Sequence, residues 1–409
     1  MLGGAEVRAL SQSVSAADRA LTVTCEGGQN GRHMTPYPTV LNGLQVFERG
    51  WLSSNNVLLF GNAGEGAVLV DSSHTLHGAQ TVALVQQALA GQPLRQTVNT
   101  HLHSDHCGGN AAVQRAFGCR IDIPPGEFQA ALAWDESVLS YRATGQVCER
   151  FVPDGSVAPG QTLAVGGRHW QALAAPGHDP HSIILFDDAA GVVICADALW
   201  ENGFGVVFPE LDGEAAFDDV ARTLDLIESL DARCAIPGHG AAFTDLAGAL
   251  QRARKRLAGF VAAPDRHARH AVRALMKYHL LEVQSERWDA LQSWFAQAAL
   301  FTAVWQRLGR PEGTLADFGR RTVQDLVGSG ALAFQVQRSD WQGEHHGGGH
   351  EQLQQIVALA LRNDCQRPGP MIQQGESDAN RADHHHQHGR PVEPQADRGQ
   401  HQQGRDEEK

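Results

Sequence analysis

The sequence lacks the cysteine spacing of a disulfide framework or of a cysteine-based zinc site. Its 409 residues include seven cysteines, and no two of them form a Cys-x-x-Cys pair. An odd number of scattered cysteines is typical of proteins that fold in a reducing compartment. The first residues also lack a basic start followed by an apolar segment, and no apolar run approaches membrane-spanning length. We therefore expect a cytoplasmic protein that does not associate with a membrane.

An excess of positive charge is missing as well. The formal net charge is -13 at pH 7, so long-range electrostatics would repel a polyanion. This balance argues against nucleic acid as a partner and favours a small-molecule substrate. The sequence does not indicate an oligomeric state.

Aromatic residues are absent after Trp341, where the chain becomes rich in His, Gln, Gly, Asp and Arg. Such a segment cannot bury enough apolar surface to offset the entropy of ordering, so we expect residues 339–409 to be a disordered, low-complexity tail. Residues 1–36 are small and polar, and we expect a poorly ordered extension there. Because patterned sequence begins at Met34, this residue is a candidate for the native start.

Residues 37–243 alternate short β-branched runs with helical or glycine-rich segments, which predicts a layered α/β domain. Helices are expected at 80–89 and 110–117. The predicted strands are NVLLFGN, AVLVD, TVN, RIDI, SIILFD, GVVICAD and RCAIP.

Residues 244–338 predict a helical C-terminal module. Asp245 is placed to cap a first helix, and Pro264 to open a second. A third helix is predicted from the spacing of Trp294, Ala298, Phe301 and Trp305. A fourth covers TLADFGRRTVQDLVGSG and ends at its glycines.

The stretch NTHLHSDHCGGN, residues 99–110, places three histidines and an aspartate within six positions. His101 and His103 follow an apolar strand, so in an extended chain their side chains point the same way. Asp105 and His106 follow where the backbone turns towards a helix. Imidazole and carboxylate groups are ligands that zinc accepts, at roughly 2.0–2.2 Å. The pattern therefore predicts a metal site.

Three further candidate ligands lie farther along the chain, each just past a predicted strand. They are His178 in APGHD, Asp197 in VVICADALW and His239 in CAIPGHG. Side chains that follow strand ends converge at one edge of a sheet, where α/β folds place their sites.

This set resembles the metallo-β-lactamase superfamily over about residues 40–243. The resemblance implies an αββα sandwich with two metals, followed here by a helical module for which a winged-helix type is one alternative. By this resemblance His101, His103 and His178 hold the first metal, and Asp105, His106 and His239 the second, with Asp197 bridging both. Asp71 in VLVDSS matches the aspartate beneath the metal-binding loop, where it would hold the loop or a ligand imidazole.

The aspartate at position 197 resembles the glyoxalase II and lactonase branch, since the lactamases proper tend to carry Cys or Ser there. The resemblance implies a dinuclear zinc hydrolase of a small ester or thioester that acts by attack of metal-bound hydroxide. Asp105 is the candidate catalytic residue that orients this hydroxide. Two Zn²⁺ ions are the expected cofactors, and ligand type alone does not exclude iron or manganese.

Other residues near the motifs admit two interpretations. Trp200 and Glu201 are expected near the site mouth, while Phe204 and Phe208 either line an apolar pocket or pack their loop against the helices. His181 either touches substrate or makes a loop hydrogen bond. Cys107 is interpreted as a small buried residue.

Alternative functions remain open. A metal-dependent ribonuclease would use a winged-helix-like module with the basic segment HARHAVRALMKYH, but the acidic balance opposes it. A lactonase or β-lactamase-type hydrolase is another alternative, although no tyrosine follows Asp197 until Tyr278. A non-catalytic or redox module of flavodiiron type would replace histidines with carboxylates, and this chain keeps them. For a glutathione thioester, RARKRL at 252–257 is basic, but the family's terminal basic motif is not evident.

Overall fold

The computed structural model describes residues 39–337 and 354–359. Its strands are β1 Leu44–Phe47, β2 Asn56–Leu59, β3 Ala67–Val70, β4 Leu94–Val98, β5 Arg120–Ile123, β6 Gly155–Ser156, β7 Thr162–Val165, β8 Arg168–Ala174, β9 Ile183–Asp187, β10 Val192–Ala196, β11 Cys234–Pro237, β12 Ser285–Arg287, β13 Leu332–Gln337 and β14 Gln354–Leu359. Its α-helices are α1 Gly78–Leu89, α2 Ser104–Cys107, α3 Asn110–Phe117, α4 Phe128–Ala133, α5 Tyr141–Thr144, α6 Phe208–Asp212, α7 Phe217–Ser229, α8 Leu246–Ala262, α9 Pro264–Val283, α10 Trp288–Gln297, α11 Ala299–Arg307 and α12 Leu315–Gly328.

Two sheets form the centre of the fold. The first has the order β1-β2-β3-β4-β5-β6, with β1 to β3 antiparallel and β3 to β6 parallel. The second has the order β11-β10-β9-β8-β7, in which β10 and β11 are parallel and the other pairs antiparallel. Parallel pairing needs crossover connections, which place helices on the outer faces of the sheets.

The strands bury both faces, and this arranges the domain in four layers. In β10, Val192 and Ile194 face the core between the sheets, whereas Val193 and Cys195 face the outer core that includes α7 and α8. The outer face of the first sheet packs on α1 and α3 in the same way. The order is helices, sheet, sheet, helices, and it confirms the αββα sandwich predicted from the motifs. Helix α7 was not predicted from the sequence.

Helix α8 packs its apolar face into the same core as strands β9 and β10. Asp245 caps this helix by accepting a hydrogen bond from the backbone N–H of Gly248 at 3.0 Å, as predicted. The proposed domain boundary at residue 243 stays a prediction, since this helix joins the sandwich and leads into the module beyond it.

Helices α9 to α12 share a separate apolar core. A three-stranded antiparallel sheet of order β12-β14-β13 adjoins them. The module runs in the order helix, strand, helices and two strands, and the winged-helix type stays a prediction. One prediction here was wrong: the third helix is two helices, α10 and α11, because the backbone is extended at Ala298. Phe295 and Phe301 stack across this break with ring centroids 4.3 Å apart.

The predicted N-terminal extension, residues 1–36, lies outside the described residues. Most of the predicted disordered tail, residues 339–409, does so as well. One part of that prediction was wrong, because Gln354–Leu359 forms the middle strand β14. The run QQIVAL contains two adjacent β-branched residues, which favour a strand. The average composition of the whole tail concealed this short run. Within the described ranges, we find no helix that combines the length and apolar character needed to cross a bilayer.

His267 connects α9 to the sandwich. Its ring is fully buried against Phe217 and Phe260, and its Nε2 accepts a hydrogen bond from the backbone N–H of Val207 at 3.1 Å. Burial lowers the pKa of His267 to about 4, and the charges of Arg307 and Arg256 act in the same direction. The imidazole is therefore neutral at pH 7.

We expect this histidine to make stability depend on pH in the acidic range. Between pH 6.5 and about 4 the unfolded state binds more protons at this site than the folded state, so stability is lost as the pH falls through that range. His267→Gln, which retains an acceptor, should reduce the slope of unfolding free energy against pH by up to about 1.4 kcal/mol per unit. Urea denaturation of the metal-free protein measures this slope, and an unchanged slope would contradict the expectation.

Candidate metal centre

The seven predicted ligands converge at one edge of the sandwich, where the ends of both sheets meet. Four of them lie in the loop after β4 and in the short helix α2, on the first sheet. The other three follow strands β8, β10 and β11 of the second sheet. All seven are buried, and they form two groups: His101, His103 and His178, and Asp105, His106, Asp197 and His239.

The first group consists of three imidazoles. The Nε2 atom of His178 lies 3.2 Å from His101 Nε2 and 2.8 Å from His103 Nδ1. Nitrogens that bind one tetrahedral zinc ion at roughly 2.1 Å lie about 3.4 Å from each other. The separations are therefore close to those of a three-histidine metal site.

The second group combines two carboxylates and two imidazoles. His239 Nε2 lies 3.0 Å from Asp105 Oδ2, and His106 Nε2 lies 3.8 Å from the same oxygen. Gly238, next to His239, leaves no room for a side chain, because a Cβ there would lie 2.2 Å from Asp197 Oδ1. The chain can pass this close to the centre only with glycine at that position.

Asp197 faces both groups. Its Oδ2 lies 3.4 Å from His178 Nε2 in the first group, and its Oδ1 lies 3.4 Å from His106 Nε2 in the second. The indole N–H of Trp200 donates a hydrogen bond to Oδ1 at 3.1 Å, which fixes the orientation of the carboxylate. One side chain thus has an oxygen for each group.

Asp71 supports the loop from beneath, as predicted. Its carboxylate accepts hydrogen bonds from the backbone N–H and the hydroxyl of Thr100, at 2.9 and 2.8 Å, and from His106 Nδ1 at 2.8 Å. This residue has a left-handed backbone with φ 58°, a conformation that aspartate tolerates better than most residues. The carboxylate therefore holds both the loop and the imidazole of a candidate ligand, His106.

The hydrogen bonds of the ring nitrogens that face away from the centre indicate which nitrogen is protonated. His178 Nδ1 lies 2.5 Å from the Val206 carbonyl, which can only accept, so Nδ1 carries the proton and Nε2 offers a lone pair. His106 Nδ1 donates to Asp71, and its Nε2 is buried without a hydrogen-bond partner among the described residues. A buried lone pair among carboxylates and imidazoles fits a bound cation.

The charges within the second group also fit a cation. Burial acts to raise the pKa of Asp105, but His106 and His239 outweigh it and hold this pKa at about 2. For His106, burial acts to lower the pKa, but the carboxylates of Asp71, Asp197 and Asp105 outweigh it and hold the pKa well above its usual value. Asp105 is thus ionised at neutral pH, and the acidic groups around His106 favour positive charge there, which a divalent ion supplies.

Aromatic rings surround the centre. Phe208 lies against the rings of His103 and His178, with centroid distances of 4.5 and 5.6 Å. Trp51 stacks on His239 at 5.2 Å, and Trp200 meets His239 edge to face at 5.5 Å. Sequence reasoning missed Trp51, because no motif includes it.

The remaining predictions near the site had mixed outcomes. Phe204 is buried in the outer core against Phe260, so the pocket interpretation was wrong for this residue. The His181 backbone N–H donates to Asp179 at 2.7 Å, while its side chain is exposed. Cys107 is buried, as predicted. Glu201 is exposed beside the half-buried Trp200.

Tyr278 reaches the loop after β4 from the C-terminal module, although it lies 174 positions along the chain from Ser104. Its hydroxyl lies 2.9 Å from that of Ser104, and its ring meets His74 edge to face. The sequence carries no signal for this approach, since it depends on how α9 docks.

The comparisons with known proteins agree with this geometry. Residues 49–239 match the family model described as the metallo-beta-lactamase superfamily. A hydroxyacylglutathione hydrolase of Anaeromyxobacter dehalogenans (strain 2CP-C) is 30% identical over 229 residues, which cover 53% of this chain and 76% of that protein. A second, from Acidiphilium cryptum (strain JF-5), is 31% identical over 167 residues, covering 41% of this chain and 58% of that protein.

Among solved structures, a metallo-beta-lactamase family protein from Thermus thermophilus is 20% identical, with a TM-score of 0.44, and the match covers 77% of this chain and 99% of that one. The family match and the relatives confirm the resemblance recognised in the motifs. The chain belongs to the metallo-β-lactamase superfamily and is a metal-dependent hydrolase.

Proposed function

We propose that the protein is a dinuclear zinc hydrolase that cleaves a small ester or thioester. The observation that carries the proposal is the placement of Asp197, whose two carboxylate oxygens face different ligand groups at 3.4 Å each. A carboxylate in this position can bridge two ions. In this proposal His101, His103 and His178 hold one ion, and Asp105, His106 and His239 the other.

Two divalent ions held by these groups would lower the pKa of a shared water and polarise the carbonyl of a substrate. The chain supplies orientation and proton transfer. Asp105 would accept a hydrogen bond from the attacking water at one carboxylate oxygen, because its low pKa keeps it ionised. His239, 3.0 Å from Asp105 Oδ2, fixes the direction of this carboxylate.

The donor set favours zinc over harder ions. Five of the seven candidate ligands are imidazoles, and imidazole with carboxylate suits zinc, whereas an all-oxygen set suits magnesium or calcium. Iron and manganese share enough of this preference to be tested as alternatives.

A thioester is the preferred substrate class because the curated relatives are hydroxyacylglutathione hydrolases, and a hydroxyacylglutathione is a thioester. The arginines of residues 252–257 are already engaged. Arg252 donates to the Glu201 carbonyl, Arg254 pairs with Asp225 and Glu228, and Arg256 lies over the rings of Phe204 and Phe260. Because these arginines already have partners, we propose a thioester substrate and do not assign glutathione as its thiol.

Metal content and substrate preference test the proposal together. Elemental analysis of protein purified without chelator should approach two ions per chain. Thioesters and activated esters should be hydrolysed faster than a lactone, a β-lactam or single-stranded RNA. The hydrolysis rate should rise with pH around pH 7, because a water bound to catalytic zinc loses a proton there.

Two results would overturn parts of this proposal. A metal content of one ion that does not rise on adding zinc would exclude the dinuclear site. Faster cleavage of RNA than of every ester tested would favour the ribonuclease alternative, which is supported by the order of helices and strands in the C-terminal module. RNA binding would then weaken steeply with salt.

A further inference from the structure

Residues 206–208 hold the metal ligand His178 from two sides. The Val206 carbonyl accepts a hydrogen bond from His178 Nδ1 at 2.5 Å, and the Phe208 backbone N–H donates to the His178 carbonyl at 3.1 Å. The ring of Phe208 lies against those of His103 and His178. The neighbouring Gly205 allows the close approach, since a Cβ there would lie 2.3 Å from His178 Nδ1.

The same three residues are attached to the C-terminal module on their other side. The Val207 N–H donates to His267 Nε2 on helix α9 at 3.1 Å. Val206 and Phe208 pack against the apolar core of helices α9 to α12. Arg307 of α11 donates to the Glu210 carbonyl a little farther along the chain.

The two hydrogen bonds belong to one peptide group. The carbonyl of Val206 and the N–H of Val207 are the two ends of the same planar unit, so they cannot turn independently. When His267 fixes the N–H, it also fixes the carbonyl that orients His178. Hydrogen bonds in such a chain polarise each other and gain strength.

His267 is suited to this task because it is fully buried and neutral, so Nε2 is free to accept. Loss of the acceptor would leave the buried Val207 N–H without a partner, and the peptide group could then turn towards another acceptor. A rotated peptide would withdraw the carbonyl from His178 Nδ1 and free the imidazole to turn.

We propose that His267 is a positioning residue for His178, acting through the 206–207 peptide group. The C-terminal module thereby sets the geometry of the first metal site. The inference rests on the proposed function to the extent that His178 binds a metal.

The test compares His267→Leu, which removes the acceptor, with His267→Gln, which retains one. His279→Leu is the matched control. His279 lies on the same helix and is similarly buried, but it hydrogen-bonds Glu286 and stacks on Trp294 within the module. Competition with a chromophoric chelator gives the affinity for each zinc ion, and the visible spectrum of the cobalt-substituted protein reports ligand geometry.

We expect His267→Leu to lower the affinity for one of the two ions about tenfold or more and to alter the cobalt spectrum. Loss of a supporting hydrogen bond to a metal-binding histidine commonly has an effect of this size. His267→Gln should keep an affinity close to that of the wild type. His279→Leu should lower thermal stability without changing either metal affinity.

Unchanged metal affinity and spectrum in His267→Leu would overturn the inference, as would an equal loss in His279→Leu. If His267→Leu does not fold, hydrogen exchange of the wild type decides: metal loading should slow exchange of the Val207 amide, and equal exchange with and without metal would refute the coupling. A wild type that binds no metal would refute the proposed function instead.

Discussion

Asp197→Asn is expected to release at least one of the two metal ions and to lower kcat/KM by about a thousandfold, which is roughly 4 kcal/mol of transition-state stabilisation. The asparagine side chain has nearly the same shape but only one oxygen, and its amide nitrogen does not bind a divalent ion. Burial acts to raise the pKa of Asp197, but the charges of His106 and His239 outweigh it and keep the pKa well below its usual range. The native group is therefore an ionised carboxylate with one oxygen facing each candidate ligand group.

Elemental analysis and steady-state kinetics of this variant should be measured at several zinc concentrations. Asp179→Asn is the matched control, since Asp179 lies beside His178 with Oδ2 3.9 Å from His103 Nε2 but belongs to neither ligand group. We expect this control to retain two ions. An Asp197→Asn protein that keeps two ions and a rate within tenfold of the wild type would exclude a bridging role.

Asp105→Asn should lower kcat by about a hundredfold or more, because a positioned acid–base group usually contributes that much to the catalytic rate. The variant retains one oxygen that can face the second metal, so part of the metal binding should survive. It loses the charge that accepts a proton from the attacking water. The expected loss therefore persists when the second site is saturated with zinc.

Metal occupancy has to be measured beside the rate, because Asp105 is both a candidate ligand and the candidate proton acceptor. His239→Asn provides the comparison, since it removes a ligand of the same ion without removing the carboxylate. If added zinc restores Asp105→Asn to the wild-type rate, the residue acts only as a ligand. A persistent loss at full occupancy supports the catalytic role.

The placement of the seven candidate ligands was predictable because local rules govern it. Asp197 and His239 closely follow the apolar strands β10 and β11, and side chains at strand ends on one edge of a sheet converge. The family resemblance, rather than a local rule, placed Asp71 beneath the loop that follows β4. Their ligand roles stay predictions until metal is measured.

What the sequence did not reveal depends on packing between distant segments. The break at Ala298 occurs at a residue with high helix propensity, and Phe295 and Phe301 stack across it in a shared core, a long-range contact that local propensity does not reveal. Phe204 and Phe208 are four positions apart in the chain, yet Phe204 enters the outer core and Phe208 faces the imidazoles. Tyr278 and His267 reach the centre through the docking of α9, which no local pattern encodes.

The order of the ligand groups along the chain has a consequence for biosynthesis. A ribosome releases the polypeptide from its N-terminus, so His101 and His103 emerge long before His178, and His239 emerges later still. The peptide group that orients His178 gains its second hydrogen bond only when His267 has been made, about two-thirds of the way along the 409 residues. A nascent chain can therefore offer isolated imidazoles to cellular metal ions before it offers a selective site. If metal binds as proposed, the fully supported site is complete only after α9 has been synthesised.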